Sequence, residues 1–212
     1  MEIEIFVNNP WQENTYLLYD ETGEAILIDC GCARKSEEDK ILSFLKANNL
    51  KLVKLLNTHL HIDHVFGMKF IKETFGFSTC ASELDSYLLA EAPRYSEVLG
   101  FQRIEEPPAI ESSINDGDLI TFGNTELKAF HTPGHSPGGM CFYCEAAGVV
   151  FVGDTLFAGS IGRTDLPGGS LDELLAGIKS KLLVLPGNVK VYTGHGQSST
   201  IDYEKHHNPF LV

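Results

Sequence analysis

Thr58-His-Leu-His-Ile-Asp-His64, directly after the apolar segment Leu52–Leu56, is the most informative part of this chain. Three imidazoles and one carboxylate fall within six residues. Where such a segment leaves a strand, alternating positions let the first two histidines converge on one metal, and a tight turn directs the aspartate and the third histidine towards a second. Imidazole and carboxylate ligands suit zinc or iron rather than calcium or magnesium. The segment therefore predicts a metal site at the end of a strand.

One such motif has too few ligands for two metals, so further ligands must come from distant loops. Three glycine-rich turns that follow predicted strands supply candidates: Thr132-Pro-Gly-His135-Ser-Pro-Gly-Gly139, Gly153-Asp154-Thr155 and Gly194-His195-Gly196. Each turn by itself is more typical of a structural loop than of a binding site, because glycine and proline mark turns. Together with the first motif, they predict that two more histidines and one aspartate complete the site.

The order of predicted elements repeats on the two sides of a connector at residues 105–118. The first half has predicted strands at 2–7, 14–20, 24–29 and 52–57 and helices at 37–48 and 65–75. The second half has predicted strands at 125–131, 139–144, 148–153 and 189–193 and helices at 171–181 and 200–207. Ser36 is expected to open the first helix, and a helix that opens at Ser82 is expected to stop at Pro93. The pattern predicts an α/β fold in which two similar halves, about 1–105 and 115–212, pack face to face, with their strand-end loops at one edge.

Composition narrows the possible partners. The chain has 212 residues, with 16 Lys and Arg against 29 Asp and Glu, and a net charge of −13. This charge argues against nucleic acid and anionic membranes as partners. The first residues have no basic segment followed by a long apolar one, so we expect a cytoplasmic protein. The five cysteines are expected to be free thiols, Cys141 and Cys144 on opposite faces of a strand.

The four motifs THLHIDH, HTPGHSPGG, GDTLF and TGHG, in this order, resemble those of the metallo-β-lactamase-fold hydrolases. The resemblance covers nearly the whole chain and implies a single domain, 1–212, with a four-layer αβ/βα sandwich. It also implies a full ligand set for two divalent metal ions. The resemblance favours zinc as the metal, with iron or manganese as alternatives. His59, His61 and His135 would hold the first metal, Asp63, His64 and His195 the second, and Asp154 would bridge them. Asp29 matches an aspartate that orients a ligand histidine in these families.

Within this superfamily, Gly153-Asp-Thr-Leu-Phe-Ala-Gly-Ser-Ile-Gly-Arg-Thr-Asp-Leu-Pro-Gly-Gly-Ser170 is similar to the glyoxalase II (hydroxyacylglutathione hydrolase) branch and its short relatives, as is the ending with Glu204 and Asn208-Pro-Phe210. The similarity implies hydrolysis of a small, anionic thioester such as S-2-hydroxyacylglutathione, with Asp63 and Asp154 as catalytic carboxylates. Full-length glyoxalase II has an additional helical C-terminal domain that this sequence lacks, so the thiol carrier stays open. Arg163 is either a substrate contact or the partner of Asp165.

An alternative enzyme class shares the scaffold. The run Gly162-Arg-Thr-Asp165 also resembles persulfide dioxygenases, which would use one iron on His59, His135 and Asp154. His131 is interpreted as structural. The oligomeric state is not predicted.

Overall fold

The computed structural model describes residues 1–212, and its strands form two six-stranded sheets. The first sheet has the order β1-β2-β3-β4-β5-β6, antiparallel from β1 to β3 and parallel from β3 to β6. Its strands are β1 (Glu2–Asn8), β2 (Glu13–Tyr19), β3 (Glu24–Ile28), β4 (Lys51–Leu56), β5 (Thr79–Ala81) and β6 (Ser112–Ser113).

The second sheet comes from the second half of the chain. Its strands are β7 (Leu119–Phe122), β8 (Thr125–His131), β9 (Met140–Cys144), β10 (Val149–Gly153), β13 (Lys190–Thr193) and β14 (Ser199–Thr200). They follow the order β14-β13-β10-β9-β8-β7, and only the β10–β13 pair is parallel. A separate two-stranded hairpin is formed by β11 (Leu156–Phe157) and β12 (Ser160–Ile161).

The helices cover the outer faces of both sheets. They are α1 (Lys35–Ala47), α2 (Ile62–Val65), α3 (Met68–Phe75), α4 (Tyr87–Val98), α5 (Leu171–Gly177) and α6 (Ile201–His207), with a 3-10 turn at Glu83–Asp85 and a π turn at Ile178–Leu182. None of these helices is long and apolar enough to cross a membrane.

Successive side chains of a strand point to opposite faces of its sheet, and this alternation produces three apolar layers. Leu17 of β2 packs with the helices of the first half, whereas Leu18 faces the second sheet. Along β10, Phe151 faces the first sheet, and Val150 and Val152 pack against α5. Each sheet therefore buries both faces, one on the other sheet and one on helices, which is the predicted helix–sheet–sheet–helix sandwich.

Cys141 and Cys144 follow the same alternation. Cys141 lies in the layer under α5 and Cys144 in the layer between the sheets, and both are buried free thiols, as expected. The division of a single domain into two similar halves stays a prediction. The edge strand β6, which belongs to the first sheet, lies inside the predicted connector 105–118.

Three helix predictions are wrong in detail. Pro93 lies inside α4 instead of ending it, because the packing of its neighbours Leu89 and Ala92 outweighs one missing backbone hydrogen bond. Helix α1 begins after Arg34 rather than at Ser36. Glu37 provides the cap, since its carboxylate accepts the backbone N–H of Arg34 at 3.1 Å.

The helix predicted at 65–75 begins only at Met68 as α3, and the separate short helix α2 ends at Val65. The backbone N–H of Gly67 donates to the carbonyl of Cys30 at 2.8 Å instead of continuing the helix. A Cβ at Gly67 would collide with the Cys30 sulfur, so only glycine permits this contact. The break fixes the loop after β3 against the segment that carries the candidate ligands.

Candidate metal centre

The loop after β4 places the first four candidate ligands. His61, the N-cap of α2, has an extended backbone, with φ −64° and ψ 151°. The first turn of α2 then directs Asp63 and His64 to a different side from the two preceding histidines. The sequence predicts a tight turn at Asp63 and His64, and in the structure this turn is the short helix α2.

The first cluster consists of His59, His61 and His135. One ring nitrogen of each lies within 4.8 Å of the others. The Nδ1 of His61 is 2.9 Å from the Nε2 of His135, and the Nε2 of His59 is buried without any hydrogen-bond partner. Three imidazoles thus converge on one point from two distant parts of the chain.

The second cluster consists of Asp63, His64 and His195, whose donor atoms likewise lie within 4.8 Å of one another. The Nε2 of His195 is 3.2 Å from Asp63 Oδ2 and 3.3 Å from the Nε2 of His64. His195 comes from the loop after β13, so this cluster also combines both halves of the chain.

Asp154, directly after β10, lies between the two clusters. Its Oδ2 is 3.6 Å from the Nε2 of His135 in the first cluster and 3.6 Å from the Nε2 of His195 in the second. Its Oδ1 is 3.5 Å from the Nε2 of His64 and has no hydrogen-bond partner. A Cβ at Gly194 would collide with this Oδ1, which explains the glycine before His195. The carboxylate is therefore shared between the clusters.

The outer nitrogens of three histidines are held by acceptors. The Nδ1 of His64 contacts Asp29 Oδ2 at 3.0 Å, that of His135 contacts the Arg163 carbonyl at 2.9 Å, and that of His195 contacts the Trp11 carbonyl at 2.9 Å. Because a carbonyl oxygen only accepts, Nδ1 of the last two rings carries the proton. Their Nε2 atoms consequently face the site, and in the neutral ring Nε2 has the lone pair through which imidazole binds a metal.

Asp29 connects the loop after β3 to the metal-binding motif. Its Oδ1 accepts the backbone N–H of Thr58 at 2.8 Å and the side-chain amide of Asn57 at 3.1 Å, and its Oδ2 accepts the Thr58 hydroxyl at 2.8 Å. With the His64 contact, this one carboxylate fixes the start of the motif and one of its rings.

Sequence reasoning missed Asp85, which was expected only as part of a helix start. Its Oδ1 accepts the backbone N–H of Gly138 at 2.6 Å, and its Oδ2 accepts the Ser136 hydroxyl at 2.7 Å and the backbone N–H of Leu60 at 3.3 Å. Burial raises the pKa of Asp85, although these donors oppose the shift. Asp85 therefore joins the two loops that carry the first cluster.

Charge in the site favours the metal-binding form of His59, His61 and the two carboxylates, and it favours the protonated form of His64. Burial and neighbouring imidazoles lower the pKa of His59 well below its usual range, and burial and His135 lower that of His61 to about 4. Burial alone would raise the pKa of Asp63 and Asp154, but the nearby imidazoles, above all His64, outweigh it and lower both. Burial also opposes charge on His64, yet Asp29 and the two site carboxylates raise its pKa.

The donor set fits divalent metal ions. Two buried polar atoms, His59 Nε2 and Asp154 Oδ1, point into the site without a partner, and an unpaired buried polar group is costly. Opposed imidazole nitrogens at 2.9 and 3.3 Å are close to one another and have lone pairs available for a cation. Nitrogen and carboxylate donors of this kind suit zinc, iron or manganese.

Other predicted residues lie outside the two clusters. Arg163 forms a two-point ion pair with Asp165, at 2.8 and 2.7 Å, and both side chains are exposed. Its backbone carbonyl, rather than its guanidinium, contacts the candidate ligand His135. His131 contacts the Pro137 carbonyl through Nε2 at 2.8 Å and belongs to neither cluster.

A family model described as the metallo-beta-lactamase superfamily matches residues 8–195, which include every candidate ligand. The chain belongs to the metallo-beta-lactamase superfamily. Two curated relatives cover nearly its whole length. It is 34% identical to hydroxyacylglutathione hydrolase GloC of Haemophilus influenzae, covering 100% of this chain and 98% of GloC. It is 35% identical to the probable metallo-hydrolase YqgX of Bacillus subtilis, covering 95% and 93%.

Solved structures of this superfamily agree with the fold. BLEG-1, a B3 metallo-beta-lactamase, superposes with a TM-score of 0.90 at 34% identity, covering 100% of both chains. TTHA1623, solved in a di-iron-bound form, gives 0.85 at 36%, covering 96% of this chain and 97% of that one. ETHE1 from Myxococcus xanthus gives 0.81 at 25%, covering 99% and 84%. The chain is thus a metallo-hydrolase of the metallo-beta-lactamase superfamily, with the fold that the sequence predicts.

Proposed function

We propose that this protein is a binuclear metal-dependent hydrolase of S-2-hydroxyacyl thioesters, such as S-lactoylglutathione. The observation that carries the proposal is the pair of three-donor clusters that share Asp154. A one-metal enzyme has no use for the second cluster. The similarity to GloC over the full chain supports a thioester as substrate.

In this proposal, every candidate ligand has one assignment. His59, His61 and His135 would hold the first metal, Asp63, His64 and His195 would hold the second, and Asp154 would be the ligand common to both. Zinc is the proposed metal, with iron or manganese as alternatives, and the di-iron form of TTHA1623 supports iron. Bound divalent ions would supply a water molecule of lowered pKa and polarise the substrate carbonyl.

The chain's own residues supply orientation and charge. Asp29 and the carbonyls of Trp11 and Arg163 keep three imidazole rings aimed inward. We propose Asp63 and Asp154 as the catalytic carboxylates, since the neighbouring imidazoles lower the pKa of both and keep them ionised inside the site. No general acid is required for the leaving group, because a thiol ionises near pH 8.5 and a thiolate departs readily. We further propose that Arg163 contacts an anionic substrate. The cytoplasmic location stays a prediction.

Two measurements test this function. Elemental analysis of the purified protein should give about two metal ions per chain, and Asp154→Ala should lose both metal and activity. A content of at most one ion after supplementation with zinc, iron or manganese would remove the binuclear assignment. Turnover of S-lactoylglutathione is the expected activity. Oxygen consumption with glutathione persulfide, without thioester turnover, would assign the protein to the dioxygenase class.

A second candidate function is hydrolysis of a β-lactam ring, which the similarity to BLEG-1 over 100% of both chains supports. The ring amide and a thioester are both attacked at a carbonyl carbon, so one site can serve either. A β-lactam and S-lactoylglutathione assayed on the same metal-loaded sample distinguish them. A higher kcat/KM for the β-lactam would favour this candidate.

A further inference from the structure

A cavity of about 510 Å³ adjoins the two clusters, with His61, Asp63, His135 and Asp154 among its lining residues. It is large enough for a small-molecule ligand. A substrate that occupies this cavity reaches the candidate ligands, so the remaining walls of the cavity contact the rest of the substrate.

Helix α4 forms one of these walls. Leu88, Ala92, Tyr95 and Leu99 follow one another at spacings of four, three and four residues, which places them on one helix face, and all four line the cavity. The adjacent face of α4, which includes Leu89, is buried in the core of the first half. Along the cavity-facing side, Ala92 is buried, Leu88 and Tyr95 are half-buried, and Leu99, the C-cap of the helix, is 44% exposed.

Two further residues continue this apolar wall. Trp11 lies on the cavity, and its ring is tilted by 37° against that of Phe101, with 4.8 Å between the ring centroids. Tyr87, at the start of α4, donates a hydrogen bond from its hydroxyl to the Pro167 carbonyl at 3.3 Å and so joins α4 to the loop that forms another side of the cavity. Aromatic and branched aliphatic side chains therefore surround the space beside the candidate ligands.

Charge on the remaining walls is balanced by neighbours. Arg94 pairs with Glu91 at 3.3 Å, and both line the cavity. Arg163 pairs with Asp165 at 2.7 Å. Away from the candidate ligands, the cavity thus has no cationic side chain without a carboxylate partner, and apolar surface is its main feature.

We infer that the face of α4 formed by Leu88, Ala92, Tyr95 and Leu99 binds an apolar side chain on the acyl group of the substrate. The inference rests on the proposed thioesterase function. It specifies the substrate class as 2-hydroxyacyl thioesters whose side chain is aromatic or branched, larger than the methyl group of a lactoyl thioester. Each methylene placed in such a pocket changes selectivity severalfold, so a phenyl group should gain at least about tenfold over methyl.

Binding can be measured without turnover, because Trp11 is the only tryptophan of the chain and lines the cavity. The metal-loaded protein is titrated with S-benzylglutathione and with S-methylglutathione, two thioethers that cannot be hydrolysed. Trp11 fluorescence should give a Kd at least about tenfold lower for the benzyl compound. Equal Kd values, or no binding of either compound, would overturn the inference.

Variants of α4 test whether this helix causes the preference for the benzyl thioether. Tyr95→Ala should weaken binding of the benzyl thioether about tenfold and leave the methyl thioether unchanged. Leu99→Ala tests the same face at an exposed position where folding is not at risk. Val98→Ala is the matched control, because Val98 is 71% exposed in the same helix and does not line the cavity. An equal effect of the control and the wall variants would assign the preference to another part of the protein.

Measurements of thioester turnover distinguish a failure of this inference from a failure of the proposed function. S-mandeloylglutathione and S-lactoylglutathione share the carrier and the 2-hydroxyacyl group and differ only in phenyl against methyl. We expect kcat/KM to be at least about tenfold higher for the mandeloyl thioester. If the benzyl thioether binds more tightly but neither thioester is hydrolysed, the apolar side-chain preference is supported and the thioesterase function is contradicted. If both thioesters are hydrolysed with equal kcat/KM and the two thioethers bind with equal Kd, the thioesterase function is supported and the apolar side-chain preference is contradicted.

Discussion

Substitution of Asp85 should weaken metal binding, although Asp85 touches no candidate metal position. Its carboxylate is fully buried and accepts three hydrogen bonds, from Leu60, Ser136 and Gly138. Leu60 lies between the first two candidate ligands of the motif, and Ser136 directly follows the third. Losing these bonds frees both loops of the first cluster at once.

The structure predicts different magnitudes for two substitutions of Asp85. An asparagine can keep its oxygen on the Gly138 N–H at the 2.6 Å position and turn its amide towards the Ser136 hydroxyl, which can rotate to accept. Only the longer bond from Leu60, at 3.3 Å, then loses its acceptor, at a cost of about 1–2 kcal/mol. Asp85→Ala leaves three donors without an acceptor and opens a cavity, which costs about 3–5 kcal/mol.

Urea denaturation of the metal-free protein gives these free energies of unfolding, and competition with a chelator gives the metal affinity. We expect a loss of affinity of about 10- to 100-fold for Asp85→Ala and a smaller loss for Asp85→Asn. Asp39→Asn, an exposed carboxylate on α1, is the control and should change stability by less than about 0.5 kcal/mol. Wild-type metal affinity in a folded Asp85→Ala protein would refute the idea that this carboxylate positions the cluster.

Three further predictions concern other charged groups. Arg163→Ala should raise KM for an anionic thioester about tenfold with metal content intact, and unchanged kinetics would leave only the pairing with Asp165. Burial opposes ionisation of Asp20, but hydrogen bonds from neighbouring residues lower its pKa from 3.8 to about 2. Its stabilisation, about 1–2 kcal/mol, is therefore present above pH 4 and lost as the pH falls towards 2, and urea titrations of Asp20→Asn should show no such loss. Glu204, fully buried, accepts the Gly159 N–H at 3.0 Å, so Glu204→Gln should lower the free energy of unfolding by about 1–3 kcal/mol in urea, and wild-type stability would contradict this.

The candidate ligands could be predicted because the sequence places them in short, distinctive segments. Four of them lie within six residues, and the other three each lie in a glycine-rich turn after a strand. The layering of the fold was also predictable, since apolar residues on both faces of a strand such as β10 require cover on both sides. The shared Asp154 needed the resemblance as well, because spacing alone does not indicate which carboxylate lies between two clusters.

The groups that orient the ligands could not be predicted in the same way. The carbonyls of Trp11 and Arg163 hold two rings, and a backbone carbonyl has no signature in sequence. Asp85 resembled part of a helix start because Ser82 precedes it by three residues, and the donors that its carboxylate actually accepts from lie far along the chain. Pro93 shows the complementary failure, since local propensity predicted a helix end that tertiary packing overrides.

The position of His195 shows why folding and metal binding are coupled in this protein. The loop that carries it is held by β2 of the other half. Asn14 donates its backbone N–H to Gly194 at 2.7 Å and its side-chain amide to Thr193 at 3.0 Å, and the Tyr16 hydroxyl donates to the Thr193 carbonyl at 2.6 Å. The second cluster is therefore complete only when the two sheets are packed. A metal that binds only the packed state stabilises it, by about 2.7 kcal/mol at a concentration of 100 Kd, so the ligands also act as a clamp between the halves.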